Sequence, residues 1–388
     1  MGNKAILMLV SFPYVLLLSV MGRPSIPRKV DGSTVTVLQT AEAKHETLTL
    51  ITLHAKDAAA ADVYEEVARQ ANVHFVPMSD SLRSQLPHLT VDVEQQPFYE
   101  VLHQLAAQTG LMPATDPFRR EFRLSVRADW AKAPSSFNNG MLFVADAAIL
   151  TQTSNYTGRV QIQGGITLYI SAYIDPKIDV MQATALNVDE AVDENGRSLK
   201  PYVQSGVGNL GSFAGSFGLN ARFYYSPEVG KRIAHLKGSI RFAICTKRET
   251  WEVADIQSAK EVLRKLPSGT YIVKSLDGDG INPLTYDLKA QIQGIASSTN
   301  PLFSYDVILA SLRLVDASGQ AFVRGGSAGG TGNGGAREYH VGFRRQGDAG
   351  QILGSPSKLI WDIPIETRDL IVPLELKDLP LPVTSNNR

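Results

Sequence analysis

Residues 47–112 read TLTLITLHAKDAAAADVYEEVARQANVHFVPMSDSLRSQLPHLTVDVEQQPFYEVLHQLAAQTGLM, and their pattern sets the reading of the rest of the chain. The stretch holds two copies of one small unit: a short apolar strand, a polar turn and an amphipathic helix. In the first copy Ile51, Leu53 and Ala55 share one strand face and Leu48 and Leu50 the other, which reads as a strand buried on both sides. Asp57 comes next as a helix cap, and Val63, Val67 and Ala71, with Tyr64 and Ala68 beside them, form one apolar stripe. In the second copy Leu89, Val91 and Val93 alternate with the period of a half-buried sheet. Pro97 suits the first helical turn, where its missing N–H is not needed. Phe98, Val101, Leu102 and Leu105 make the second stripe, and Gly110 ends it.

The spacing therefore predicts a strand over 48–55, a helix over 59–71, a strand over 73–77, a strand over 89–93 and a helix over 98–110. Phe98–Tyr99–Glu100–Val101–Leu102, closing in Gln108–Thr109–Gly110–Leu111, carries the closest likeness to a known module. On these residues the stretch resembles the short N-terminal (STN) domain of secretins and TonB-dependent receptors. The resemblance implies a periplasmic docking and signalling module without catalysis. Binding is expected through sheet edges or the helix faces of residues 47–112, with Tyr64, Phe98, Tyr99 and Leu102 the candidate partner-binding residues and envelope proteins the expected partners. The chain beyond residue 128 lacks the regular lipid-facing strands of a membrane barrel, so the family's pore is not expected here.

Ahead of this unit, residues 1–24 read as a signal peptide or membrane anchor. Lys4 gives the positive start, and Ala5 to Met21 is apolar with few interruptions. That predicts export to the periplasm or cell envelope of a bacterium. Residues 25–46 form a polar lead-in. The first domain extends over 47–128, with Phe122–Val126 closing its sheet.

From about residue 139 the pattern becomes all-β, with strands expected at 160–162, 167–174, 180–188, 239–246 and 250–256. Asp193–Glu194–Asn195–Gly196 marks a hairpin turn, since the Asn–Gly pair tolerates positive φ. An internal echo relates residues 192–199 to 315–322, and a second relates the strand at 240–244 to 359–363. Together they suggest two β-sandwich domains, 136–265 and 266–382, with the break near Lys265–Gly269 and a tail at 383–388. The fold class is thus α+β: a small two-helix α/β docking domain followed by two all-β sandwich-like domains. This C-terminal part resembles uncharacterised exported bacterial proteins, which implies no activity.

Composition narrows the function classes. With 38 basic and 38 acidic residues the net charge is zero, which argues against nucleic acid as the main partner and leaves the membrane only a possible N-terminal anchor. Cys245 is the single cysteine, so no intramolecular disulfide forms, and it sits in an alternating strand as a packed thiol.

Five of seven histidines fall in or beside the first domain (His45, His54, His74, His88 and His103), but no spacing matches a zinc site. Asp277–Gly278–Asp279–Gly280 opens like a calcium loop yet lacks the later acidic ligand. Gly325–Gly335 holds seven glycines in eleven residues, but a strand comes after it where a phosphate loop needs Lys–Ser/Thr and a helix. Gly206–Gly211 has a dinucleotide-loop spacing without the strand and helix around it. Asp189, Glu190, Asp193 and Glu194 read as a solvated hairpin tip rather than a glycosidase pair. No cofactor or metal is expected.

The leading expectation is a non-catalytic protein-binding scaffold or adaptor. The alternatives are glycan or small-ligand binding by the sandwich loops, which would need Tyr224–Tyr225 and Phe213–Phe217 on one concave face, and a hydrolase of unrecognised type. The terminal Leu379–Pro382 is apolar and extended, suited to tucking onto the last sandwich or pairing with a partner strand.

Overall fold

The apolar stripes of residues 47–112 find their partners within the chain. The computed structural model describes residues 48–116, 121–154, 162–202, 216–278, 284–294, 305–328, 336–347 and 351–382. The first unit runs β1 (Leu50–Ala59), α1 (Ala60–Ala71), β2 (His74–Phe75), α2 (Asp80–Arg83), β3 (His88–Pro97), α3 (Phe98–Thr109), β4 (Leu111–Asp116) and β5 (Glu121–Val126). Strands β1 and β3 pair antiparallel, while β5 lies between β2, to which it is parallel, and β4. Both long helices share one core with the two sheets, through Val63 and Val67 of α1, Val101 and Leu105 of α3, Ile51, Leu89 and Phe122.

The ends of the helices are set by backbone geometry. Asn72 and Gly110 take left-handed conformations at the two C-termini, with φ of 53° and 69°, and Gly110 is the residue type that accepts this at least cost. Asp57 does not cap α1. It stands at a β-bulge in β1 with its N–H on Thr90 Oγ1, and the helix starts from Ala59 without a side-chain cap.

After a 3-10 turn at Trp130–Lys132 the chain is almost entirely strand. The first group is β6 (Ser135–Asn138), β7 (Met141–Ser154), β8 (Ile162–Ile174), β9 (Val180–Ala183), β10 (Asn187–Asp193), β11 (Ser216–Tyr224) and β12 (Arg232–Ala254). The second is β13 (Val262–Leu266), β14 (Gly269–Gly278), β15 (Thr285–Gln293), α4 (Tyr305–Ala310), β16 (Leu312–Asp316), β17 (Val323–Ala328), β18 (Ala336–Arg344) and β19 (Pro356–Pro380). The protein is thus mostly β-sheet with few helices. No helix among the described residues is long and apolar enough to cross a membrane.

Both groups lay their strands out in the same order. One outer sheet runs β11–β8–β7–β6 and the other β18–β15–β14–β13, with β17 added beyond β18. Between them lies a central sheet, β10–β12–β19–β16, with β9 also on β12. Its middle pair is 2-fold symmetric: Leu236 pairs with Leu376 as Leu359 pairs with Val253. The hairpins that flank this pair match atom for atom. Asp193 Oδ1 accepts the N–H groups of Asn195 and Arg197, both at 2.9 Å, and Oδ2 that of Gly230. Asp316 Oδ1 accepts those of Ser318 and Gln320, and Oδ2 that of Gly354. In each turn only the glycine, Gly196 or Gly319, takes positive φ, so Asn195 does not need it. The echo at 192–199 and 315–322 is therefore structural. The second echo lies four residues out of register, because the strand at 359–363 is equivalent to 236–240.

The symmetric pair also changes the layout of the cores. β12 and β19 each pass from one core into the other. The first core combines Phe143, Ile170, Leu219, Leu236 and Phe242 with Val372, Leu374 and Leu376 of β19. The second combines Tyr271, Leu288, Val341, Leu359 and Trp361 with Trp251 and Val253 of β12. A cut near Lys265–Gly269 accordingly falls inside the β13–β14 hairpin of one sheet, and neither 136–265 nor 266–382 contains a whole core. Leu379 and Leu381 likewise pack into the first core rather than the last. Strands expected at 239–246 and 250–256 are one strand, while 180–188 divides into β9 and β10.

Candidate functional site

The four residues expected to meet a partner are Tyr64, Phe98, Tyr99 and Leu102, and none is more than 2% exposed. Phe98 packs edge-on to Tyr99 at 5.0 Å and close to Phe122, and the Tyr64 hydroxyl pairs with Thr109 Oγ1 at 2.9 Å. Burial pushes the Tyr64 phenol well above its ordinary range. These side chains build the core of the unit and present nothing to a second protein. The same helical stripe serves a core or a docking face, and here the chain supplies its own cover.

Part of that cover comes from outside the unit. On β7, Met141 and Phe143 face the first sandwich core, whereas Leu142 and Val144 face the α/β unit. On β8, Ala172 and Ile174 face the sandwich and Tyr173 faces the unit. This end of the outer sheet is therefore apolar on both sides. Tyr173 packs on Tyr99 at 5.6 Å and its hydroxyl accepts from Trp130 Nε1 at 3.0 Å. Nearby, the buried carboxylate of Asp175 accepts from Thr49 N at 2.9 Å, Thr49 Oγ1 at 2.8 Å and Lys177 N at 2.9 Å. A buried carboxylate survives only with such partners, so these bonds fix the start of β1 on the sandwich.

What the unit leaves to solvent is the β1–β3 layer. The two strands pair only with each other among the described strands. The main chain of β1 is covered at Thr52, whose N–H donates to Gln70 Oε1 and whose C=O accepts from Gln70 Nε2. Apart from Leu50 the exposed side chains of the layer are polar, and they include a His54–Asp92 contact at 2.7 Å and a His88–Asp57 contact at 3.3 Å.

His103 occupies a different setting. Its ring lies 5.4 Å from Trp130 and 5.4 Å from Phe137, and its buried Nε2 has no hydrogen-bond partner. Burial holds its pKa below the ordinary histidine value. The unfolded chain therefore binds a proton here more readily than the folded one, so stability falls as pH drops below about 6.5 and declines further until the folded pKa is passed. Replacing the ring by an apolar one of similar shape removes the orphaned nitrogen. H103F is expected to raise stability by ~1 kcal/mol at neutral pH and to flatten this acid loss; urea melts at pH 7.5 and pH 5 check both.

The remaining sequence candidates resolve individually. Cys245 is half-buried with its thiol on the Lys247 carbonyl, and burial, then the nearby Asp179 carboxylate, pushes its pKa up to about 11. A thiol held neutral is a poor nucleophile. Glu194 accepts the N–H groups of Lys231 and Arg232, so with Asp193 it anchors a turn. Burial acts to raise the Asp193 carboxyl, but its backbone N–H donors outweigh this and hold it low. Asp277 is engaged by Lys289 at 2.9 Å and by Ser275. Residues 279–283, 206–211, 329–335, His45 and Phe213 lie outside the described residues, as do the signal and the lead-in. Among the described residues no three His, Cys, Asp or Glu side chains converge on a metal position.

The aromatic pair proposed for a concave face separates. Tyr224 points to solvent, Tyr225 lines a small cavity of about 180 Å³ with Leu150, Ile166 and Leu381, and Phe217 packs against Phe242 in the first core. Tyr169 and Tyr202 are exposed residues that the sequence pattern did not single out. A signal for Tyr169 was present, because it alternates with the apolar Leu168 and Ile170; Tyr202 has none until the pairing of strands is known. No protein-family model matches the chain, and no curated protein or solved structure matches it either.

Proposed function

We propose that this chain is an exported, non-catalytic protein-binding scaffold of the bacterial cell envelope. In this reading residues 47–128 are an STN-like docking domain, carried on two sandwich-like β domains that exchange their long last strands. The observation that supports it is the placement of the β1–β3 layer. One side of the α/β unit is taken up by β7 and β8, while β3 keeps an outer edge that no described strand pairs. An unpaired edge offers main-chain donors and acceptors to an added strand of a partner. The apolar run from Ala5 to Met21 behind Lys4 supports export.

The test is site-specific photo-cross-linking in whole cells. A photoreactive residue in place of Glu94, exposed on β3, is expected to capture one defined set of envelope proteins. The same residue in place of Glu252, exposed on the far half of β12, is expected to capture none of them. Equal patterns at both sites, or no adduct at Glu94, would remove the docking reading.

A further inference from the structure

The outer face of the β11–β8–β7 sheet is only partly covered by the α/β unit, and the rest of it carries several exposed rings. Residues 200–202 add to the edge of β11: Tyr202 N–H donates to Arg222 O at 2.7 Å, and Tyr224 N–H donates to Lys200 O at 3.0 Å. That pairing puts Lys200, Tyr202, Arg222 and Tyr224 on one face. The sheet register adds Tyr169 opposite Asn220, and Ile149 opposite Thr167. Tyr169, Ile149, Tyr202 and Tyr224 are each between 43% and 50% exposed. The rings of Tyr202 and Tyr224 lie 4.9 Å apart, with the Lys200 ammonium 5.9 Å from the Tyr224 centroid. Neither Lys200 nor Arg222 makes an ion pair with a described residue. The carboxylate at the near bulge, Asp146, is held by Arg127 and Ser171.

The equivalent face of the second sandwich shows what an ordinary solvated surface looks like in this fold. There Lys274 pairs with Glu338 at 2.6 Å and Lys289 with Asp277 at 2.9 Å, so both lysines have their anions, while Arg344 stands exposed at the end of β18. The same sheet positions thus carry lysine–carboxylate pairs in one repeat, and in the other exposed rings beside two cations that no described carboxylate pairs. Lys200 and Arg222 leave their charge available to an acidic ligand.

Size and shape decide its class. Half-exposed tyrosines offer roughly 100 Å² each, so the patch shows on the order of 400 Å² of ring and aliphatic surface. That is about half of what one side of a stable protein interface buries, about 800 Å². The surface is the flat face of a sheet, without the pocket that a protein hot spot fills. Tyr169 stands about 14 Å from Tyr224 by strand spacing and rise, with the Arg222 row between them. Two flat stacking positions with a cation between them suit a narrow, linear chain of rings bearing carboxylates.

We infer that this face binds an acidic polysaccharide, its sugar rings stacked on Tyr169 and on the Tyr202–Tyr224 pair and its carboxylates on Arg222 and Lys200. This site is separate from the β3 edge, and its test does not depend on the docking reading. The probe is polygalacturonate, applied to the full chain in affinity electrophoresis. Neutral dextran, poly-glutamate and phosphatidylglycerol vesicles are the comparisons.

The expected result is retardation by polygalacturonate that weakens with salt, with at least a tenfold loss of affinity in Y224A and in R222Q. Unchanged binding is expected in K289A, on the equivalent face of the second sandwich. Tyr224 and Arg222 are exposed and Lys289 is half-buried, and thermal melts check that the variants fold. Failure to bind polygalacturonate, equal binding of poly-glutamate, binding of vesicles alone, or retention unaffected by Y224A and R222Q would each overturn the inference.

Discussion

A chain ended after Thr367 is expected to lose its first sandwich, although that sandwich begins more than two hundred residues earlier in the sequence. The missing part of β19 pairs with β12 from Arg232 to Ile244. It also puts Leu370, Val372, Leu374, Leu376, Leu379 and Leu381 into the first core, none of them more than 8% exposed. Each such side chain contributes roughly 1.5–3 kcal/mol by burial, so the six together are worth on the order of 10 kcal/mol, comparable to the whole stability of a typical domain. The second core, meanwhile, keeps Leu359, Trp361 and Ile363. Limited proteolysis of the shortened chain should therefore cut early within residues 162–242, before the region around β14, β15 and β18. Two sandwiches folded one after the other would behave in the opposite way, and a protease-resistant fragment spanning β7 to β12 would refute the shared-strand account.

The sequence conceals this exchange for a physical reason. In β12 the first core takes Ile233, Leu236, Ile240, Phe242 and Ile244, and the second takes Ala243, Trp251 and Val253. The handover falls at the irregular pairing around Cys245–Arg248, where Lys247, Arg248 and Glu249 interrupt the apolar pattern. A polar break of that kind reads as a turn between two strands. The structure keeps one strand there, and Arg248 is held in place by two bonds to Asp179, at 2.6 and 2.9 Å, and one to the Asp362 carbonyl at 2.8 Å.

β7 escapes the sequence pattern for the complementary reason. Met141 to Val144 is apolar throughout, because alternate residues serve two different cores, and no period remains to be read. By contrast α1, α3 and β3 each bury one face, and their stripes, with Gly110, were legible. The candidate contact residues were legible as a stripe only. Nothing in Tyr64, Phe98, Tyr99 or Leu102 tells whether the covering surface belongs to the same chain, and here it includes Tyr173, which lies 74 residues beyond Tyr99 in sequence.

Y173A is the second change expected to have a large effect, and it shows whether the α/β unit and the first sandwich stand as one body. Tyr173 is 2% exposed, packs on Tyr99 and lies edge-on to Trp130 at 5.3 Å. Truncation of a buried aromatic costs about 3–5 kcal/mol, depending on how far the site can collapse. Collapse is limited here, since Leu142 and Val144 on one side and Tyr99 and Trp130 on the other are set by separate elements. The change also strands the Trp130 indole N–H in a buried site, which adds about 1–3 kcal/mol. Y173F keeps the ring and loses only the acceptor, so it should show this smaller cost alone.

The bonds of Thr49 to Asp175 remain in both variants, and they keep the start of β1 in place. The unit should consequently loosen before it detaches. Hydrogen exchange of the amides in α1 and α3 should speed up strongly in Y173A while those of β14, β15 and β18 keep their protection. Denaturation should divide into two transitions where the unaltered protein shows one for this half of the molecule. If Y173A melts within about 0.5 kcal/mol of the parent, as a surface change would, the unit is not seated through Tyr173. A uniform rise of exchange across all three cores would instead mean that the two sandwiches and the α/β unit unfold as one block, with the β12–β19 pair as the common strut.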